Sequence, residues 1–452
     1  MNRRNRLWSN LIVLAAWLPA CAAPPAAAPS AVAPPAVAPS EAAPSSVEQR
    51  PAATPPQPAP SAAAAEPAYP VPDTNPEPTE GHDFKEELGV LHRVVACAGT
   101  APLPKNLDAS VVDKHCARVE PIVRLYREKY LAKAKPFFDG IRPKQLPPTV
   151  VYPFGGGDLL SPLLVFPDAR EITTISLEYA GDPRVVSRSD KKTLDAGLAL
   201  FADSFRTLLR GDWNWTRNME ALQKAKFPEQ LGYALIALAV HEYQPLSLRY
   251  FRLKSDGAID YLDDAEIEAL ADKRPEQLRV WGAPDYSLAF SNAEIRFAKP
   301  GGGPVKVYRH MAGNLSNKGL REDIPELLRH LEKKGMISAT TRAASHLLWS
   351  PYFTDMRDFL TKHLVWMPSD STGITPEDAK AAGLVQEFYG TFEGMYEPSD
   401  QDPRPKVHSE TLKVLFKEKS TTQLDFLYGY SDNRRVDAAT QRIGHVIVTR
   451  KP

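Results

Sequence analysis

Between residues 21 and 80 the chain carries 17 Pro and 19 Ala, and no aromatic residue appears before Tyr69. This stretch limits the fold more than any other feature. It cannot bury enough apolar surface to offset the entropy of ordering it. Its prolines keep it extended, at ~3.1 Å per residue where polyproline II holds, so it could reach of order 150 Å. The sequence therefore divides into residues 1–20, a tether over 21–80, and one globular body over 81–452, whose first part, 81–148, reads as helical. The tether reads as a spacer, with a recognition segment as the other reading.

Charge and cysteine content narrow the function. Lys+Arg and Asp+Glu are 55 each, and the body alone is close to neutral. That removes the general electrostatic case for a nucleic-acid partner. Three cysteines are too few for a disulfide scaffold or a four-thiolate zinc site. No cofactor or metal is expected from any motif. The longest apolar run of the body, Tyr233 to Val240, is too short to cross a bilayer.

The first residues set the compartment. Arg3, Arg4 and Arg6 precede the apolar run Leu11 to Leu18, which has the layout of a secretory signal peptide. It ends in Leu18-Pro19-Ala20-Cys21, which resembles the lipobox of bacterial lipoprotein precursors. The resemblance implies export, lipidation of Cys21, and membrane attachment through that lipid. Ala22 in place of Asp favours the outer membrane. An envelope protein or a cell-wall component is the expected partner. In an oxidising compartment Cys97 and Cys116 are expected to pair, closing a loop of about 20 residues. Two buried free thiols are the other reading.

The body alternates strands and helices, which indicates an α/β class with a mixed sheet. Helices are expected at 82–95, 108–135, 191–210, 216–225, 228–241, 319–334 and 354–363. Strands are expected at 149–154, 170–178, 246–254, 258–262, 286–298, 305–310 and 364–367. Further strands are expected as a pair near 385–396, near 424–429, and at 444–449. The 149–178 unit carries most information: strand, Gly155-Gly156-Gly157-Asp158 loop, short apolar helix, second strand, then Glu178. It resembles the opening of a Rossmann-like or methyltransferase-like domain, and the expected fold is a three-layer, Rossmann-like mixed sheet with added β-hairpins. The resemblance implies that Gly155, Gly156 and Gly157 approach a ligand and that Glu178 meets a ribose hydroxyl. The competing reading is a tight turn with Asp158 capping the helix.

Other motifs weigh against common chemistries. His241-Glu242 lacks the second histidine of a zinc-protease helix, and no G-x-S-x-G elbow is present. The acidic group Asp260, Asp263, Asp264, Glu266 and Glu268 lacks the pattern of a calcium loop, so Asp263 or Asp264 reads as a helix cap. Ser369-Asp370-Ser371-Thr372-Gly373 follows a strand, where α/β sheets collect ligands. Ser369 and Ser371 are therefore ligand candidates, with capping of the following helix as the competing reading. Trp213 and Trp215 read as loop anchors or sugar-stacking groups.

Tyr152 to Asp158, Phe166 to Ala169, and Asp370 to Ile374 together resemble landmarks of an uncharacterised family of exported bacterial proteins. The resemblance implies no reaction, but it marks Asp158 and Asp370. Two functions follow as expectations. One is a lipid-anchored binding or scaffold module. The other is an extracytoplasmic hydrolase or transferase using Asp158 and Asp370 as catalytic carboxylates.

Overall fold

The computed structural model describes residues 69–74, 76–105, 107–209, 227–274, 287–394, 404–420, 422–429 and 444–452. The expected signal peptide, Cys21, most of the tether, Trp213, Trp215 and the helix expected at 216–225 lie outside them.

The strands are β1 (Thr149–Pro153), β2 (Glu171–Ser176), β3 (Gln244–Leu253), β4 (Ile259–Tyr261), β5 (Asn292–Ala298), β6 (Lys306–Ala312), β7 (Ile337–Ala339), β8 (Leu364–Ser369), β9 (Val385–Gly390) and β10 (His445–Arg450). They form one mixed sheet in the order β4-β3-β5-β6-β2-β1-β7-β8-β10-β9. The five central strands, β6-β2-β1-β7-β8, are parallel. Numbered by their own chain order they run 3-2-1-4-5, the order of doubly wound sheets. The antiparallel strands β4, β3 and β5 extend one side, and β10 with β9 extends the other. The fold is α/β.

Neighbouring residues of β1 show how the layers form. Val150 joins the apolar cluster that holds residues of the helices at Lys85–Val94, Ala109–Leu125, Leu160–Val165, Lys191–Leu209 and Glu229–Val240. Val151 joins a second cluster with residues of the helices at Pro325–Glu332, Thr354–His363 and Pro376–Ala381. Side chains alternate across a strand, so the two clusters lie on opposite faces of the sheet. A third, smaller cluster packs the helix Arg404–Lys419 on Phe388 and Ile447 of β9 and β10.

Several elements differ from the sequence expectation. The helix expected to end near 135 continues to Ile141, through a π-helical segment at Tyr126–Leu131. The helix expected at 319–334 is π-helical over Gly319–Asp323 and becomes an α-helix at Pro325, where proline suits a first turn. No strand forms at 424–429. Both edges of β10, its nearest strand in sequence, are already paired, with β8 and β9. This apolar segment packs instead on the helix Ala132–Ile141, with Phe426 against Phe137 and Phe138. Residues 391–394 likewise leave the sheet after β9.

Residues 69–80, assigned to the tether on composition, touch the sheet. Thr74 is buried, donates to the carbonyl of Val305 and accepts from Arg296. Glu77 pairs with Arg249 at 3.1 Å. Cys97 and Cys116 are joined in a disulfide that ties the end of the first helix to the second. No helix among the described residues is long and apolar enough to cross a membrane.

Candidate functional site

In a doubly wound sheet the chain leaves strand 1 to one side and later returns to the other. The resulting crevice lies outside the carboxyl ends of the strands on either side of that switch. Here the switch falls between β1 and β7. Two non-glycine residues at these strand ends, Phe154 after β1 and Ala343 after β7, have φ of 60° and 57°. Left-handed backbone at such residues is costly and is held only where the surroundings impose it.

The glycine loop lies at this edge. The amide of Gly155 donates to the carbonyl of Ile175, which ties the loop to the end of β2. A Cβ on Gly157 would stand 2.7 Å from Gln230 Oε1 and 2.8 Å from Tyr233 Cβ. The close approach demanded at Gly157 is therefore to the helix Glu229–Val240, within the protein itself. Gly156, by contrast, has open space beside it.

Asp158 is buried and fully engaged. It accepts from Ser161 N at 3.1 Å, Ser161 Oγ at 2.7 Å and Tyr152 Oη at 3.1 Å, and it pairs with Arg342 at 3.4 Å. It thus restrains the first turn of the short helix and neutralises a buried guanidinium. Arg342 also donates to Ser161 Oγ and lies over the Tyr428 ring, 5.2 Å from its centroid. Burial opposes the charge on Arg342. Asp158, with the nearby hydroxyls of Tyr152, Tyr130 and Tyr428, outweighs that, so its pKa lies above the ordinary arginine value. Burial pushes Tyr130 up to about 12. The π-helical turn supplies both Tyr126 and Tyr130 to this cluster, their rings stacked at 5.1 Å.

Asp370 is also committed. It accepts from the amides of Ala343 and Thr372, both at 2.9 Å, and from the Thr372 hydroxyl. These bonds shape the loop after β8 and hold Ala343 in its left-handed conformation. Asp158 and Asp370 therefore stand at the ends of β1 and β8, with β7 between them, each bonded to its own partners. Ser369 donates to the carbonyl of Ile447 at 3.4 Å. The following helix is capped by Thr375, which accepts from Asp378 N, rather than by Ser369 or Ser371.

Ser371 has a partner that its sequence context did not suggest. Its hydroxyl lies 2.9 Å from Nε2 of His445, and its amide donates to the same nitrogen at 3.0 Å. Its carbonyl meets His408 Nε2 at 2.9 Å.

A second group of polar side chains gathers toward β2 and β6. Glu178, two residues beyond β2, is 8% exposed, and among the described residues its carboxylate has no hydrogen-bond or ion-pair partner. Its carbonyl meets His310 Nε2 at 2.7 Å. Burial pushes His310 down to about 4, so the ring is neutral. Gln230 is 1% exposed, and among the described residues both polar atoms of its amide lack a partner, as does the Ser176 hydroxyl at the end of β2. Leaving such groups unpaired costs about 1–3 kcal/mol each.

Two grooves of about 560 and 490 Å³ lie elsewhere. The first runs between His82, Glu87, Arg184 and Glu268; the second lies at the amino ends of β1 and β2, beside Thr149, Glu171 and Lys334. Neither touches the glycine loop. At the carboxyl strand ends, unpaired polar atoms at Ser176 and Gln230 and left-handed backbone at Phe154 and Ala343 occur together, as they often do at functional sites. No group of three or more His, Cys, Asp or Glu able to hold a metal occurs among the described residues.

Sequence reading named the loop, Asp158, Glu178, Asp370 and Ser371 as candidates. It did not single out Arg342, Gln230, His408, His445, Tyr126 or Tyr130. The chain matches no protein-family model, no curated protein and no solved structure.

Proposed function

We propose that this chain is a lipid-anchored envelope protein whose α/β body binds a hydroxyl-bearing ligand at the carboxyl edge of β1 and β2. The observation that carries the binding reading is the contrast between two groups of buried polar residues. Asp158 and Asp370 are consumed by internal partners. Glu178, Gln230 and Ser176 are not. A carboxylate, a full amide and a hydroxyl together can accept from and donate to vicinal hydroxyls, as on a ribose or another sugar ring. The export and anchoring part rests on the order of basic start, apolar run and Leu18-Pro19-Ala20-Cys21. Carboxylate catalysis by Asp158 and Asp370 has less support, since neither is left to exchange a proton with a substrate.

The binding test is a thermal-shift screen of the full chain against nucleosides, nucleotides, S-adenosylmethionine, monosaccharides and cell-wall fragments. A saturable rise is expected for one hydroxyl-rich class, worth ~2.7 kcal/mol at 100 times Kd. Glu178→Ala should abolish the rise while the unliganded protein melts as before. A panel with no shift, or a shift that Glu178→Ala leaves intact, would remove the site. For the anchor, Cys21→Ser should move the protein from the membrane to the soluble fraction and stop incorporation of labelled palmitate.

A further inference from the structure

We infer that Ser371 and His445 form a nucleophile–base pair for acyl transfer, and that the body hydrolyses carboxylic esters at the end of β8. Ser371 Oγ and His445 Nε2 lie 2.9 Å apart, within the reach a general base requires. Serine sits just past the carboxyl end of a parallel strand, and histidine opens the antiparallel neighbour β10. The sheet itself thus sets their separation.

The tautomer follows from a second bond. The Ser371 amide donates to the same Nε2 at 3.0 Å, so this nitrogen carries the lone pair and the ring proton resides on Nδ1. That is the form able to take a proton from the hydroxyl. Serine is held from its other side as well, through the bond between its carbonyl and His408 Nε2. The His445 ring is fixed by edge-on contacts with Phe392 and Phe416, at 5.4 and 5.7 Å. Asp370 shapes the loop through Thr372 and acts as a positioning residue.

The reaction balances with water as the second substrate. Oγ attacks the ester carbon, and its proton passes to Nε2 as the O–C bond forms. The bond to the alcohol breaks, and the alcohol leaves with that proton. Water then attacks the acyl-serine, gives a proton to Nε2, and releases the acid as Oγ recovers it. Ser371 is 0% exposed and His445 2%, so reaction requires the surrounding chain to open locally.

The test treats the full chain with an alkyl fluorophosphonate, followed by peptide mass spectrometry. Oγ should bond to phosphorus as fluoride leaves, and the adduct should map to Ser371. His445→Gln should slow labelling by about 100-fold or more, the usual worth of a general base. Hydrolysis of p-nitrophenyl butyrate should fall in parallel. The Ser371→Cys variant, treated with a small thiosulfonate, measures access separately from activation and does not depend on the histidine variant folding. If the introduced thiol is modified while the wild-type chain stays unlabelled, the proposal is overturned, because the position is reachable but not activated. An unmodified thiol in the folded Ser371→Cys variant would overturn it as well, because no ester could enter. Labelling at another serine, or labelling indifferent to His445→Gln, would have the same effect. The ligand site at Glu178 stands or falls by its own screen, since neither outcome here involves it.

Discussion

Replacing Asp158 by Asn is the most informative single change. It preserves volume and most hydrogen bonding but removes the negative charge beside Arg342, and both side chains are less than a tenth exposed. A buried pair broken on one side leaves an uncompensated charge and costs about 3–5 kcal/mol. For a body of this size that is a fall in Tm of roughly 4–6 °C. Guanidinium unfolding of the full chain, followed by tryptophan fluorescence, should show a lower midpoint with an unchanged slope. Arg342→Met alone should cost a similar amount, because Asp158 is then stranded. The double variant should recover at least about 2 kcal/mol relative to either single change, since a pair replaced by uncharged groups carries no buried charge. A loss below about 1 kcal/mol for Asp158→Asn would refute this account. So would strict additivity. A stabilised Asp158→Asn would point back to catalysis, where function is held at the expense of stability.

Other outcomes follow from the same geometry. His310 titrates near 4 in the folded protein against an ordinary 6.5, so the unfolded chain binds its proton first. Stability should be complete above about pH 6.5 and decline as pH falls toward 4; His310→Gln should reduce the slope of ΔG against pH there by one proton. Reducing the Cys97–Cys116 bond should cost ~3 kcal/mol by the chain-entropy model, read as a lower denaturation midpoint in dithiothreitol. Gly429→Ala drives a Cβ into the Asp370 carboxylate at a φ of 96°, and should cost at least about 3 kcal/mol. Gly156→Ala, with open space and a φ of 50°, should cost about 1 kcal/mol in the same melting assay.

Much of the architecture was readable from local pattern. The helix at Thr354–His363 falls on its expected bounds, and β1, β2, β3, β6 and β10 fall within two residues of theirs. Period-two and period-3.6 apolar spacing marks such elements because each must bury one side. The strand expected at 424–429 fails for the same reason that pattern works. Leu424, Phe426 and Tyr428 are buried, as an apolar strand would be, but burial comes from helix packing and not from a ladder. The π-helical turn at Tyr126–Leu131 leaves no such signature, because one shifted turn alters which tyrosine faces the core without changing composition.

The sequence by itself determined the order of most strands and helices and the position of the glycine loop. Those depend on residues within a few positions of one another. Only the tertiary structure decided which strands lie side by side, and therefore what each polar residue meets. Asp158 reads as a candidate catalyst until Arg342, far along the chain, arrives on the neighbouring strand end and takes its charge. Ser371 reads as a ligand or helix-capping residue until β10 folds back beside β8 and brings His445 to its hydroxyl. A side chain's chemistry is set by the groups within a few ångströms of it, and in a mixed sheet most of those come from distant sequence.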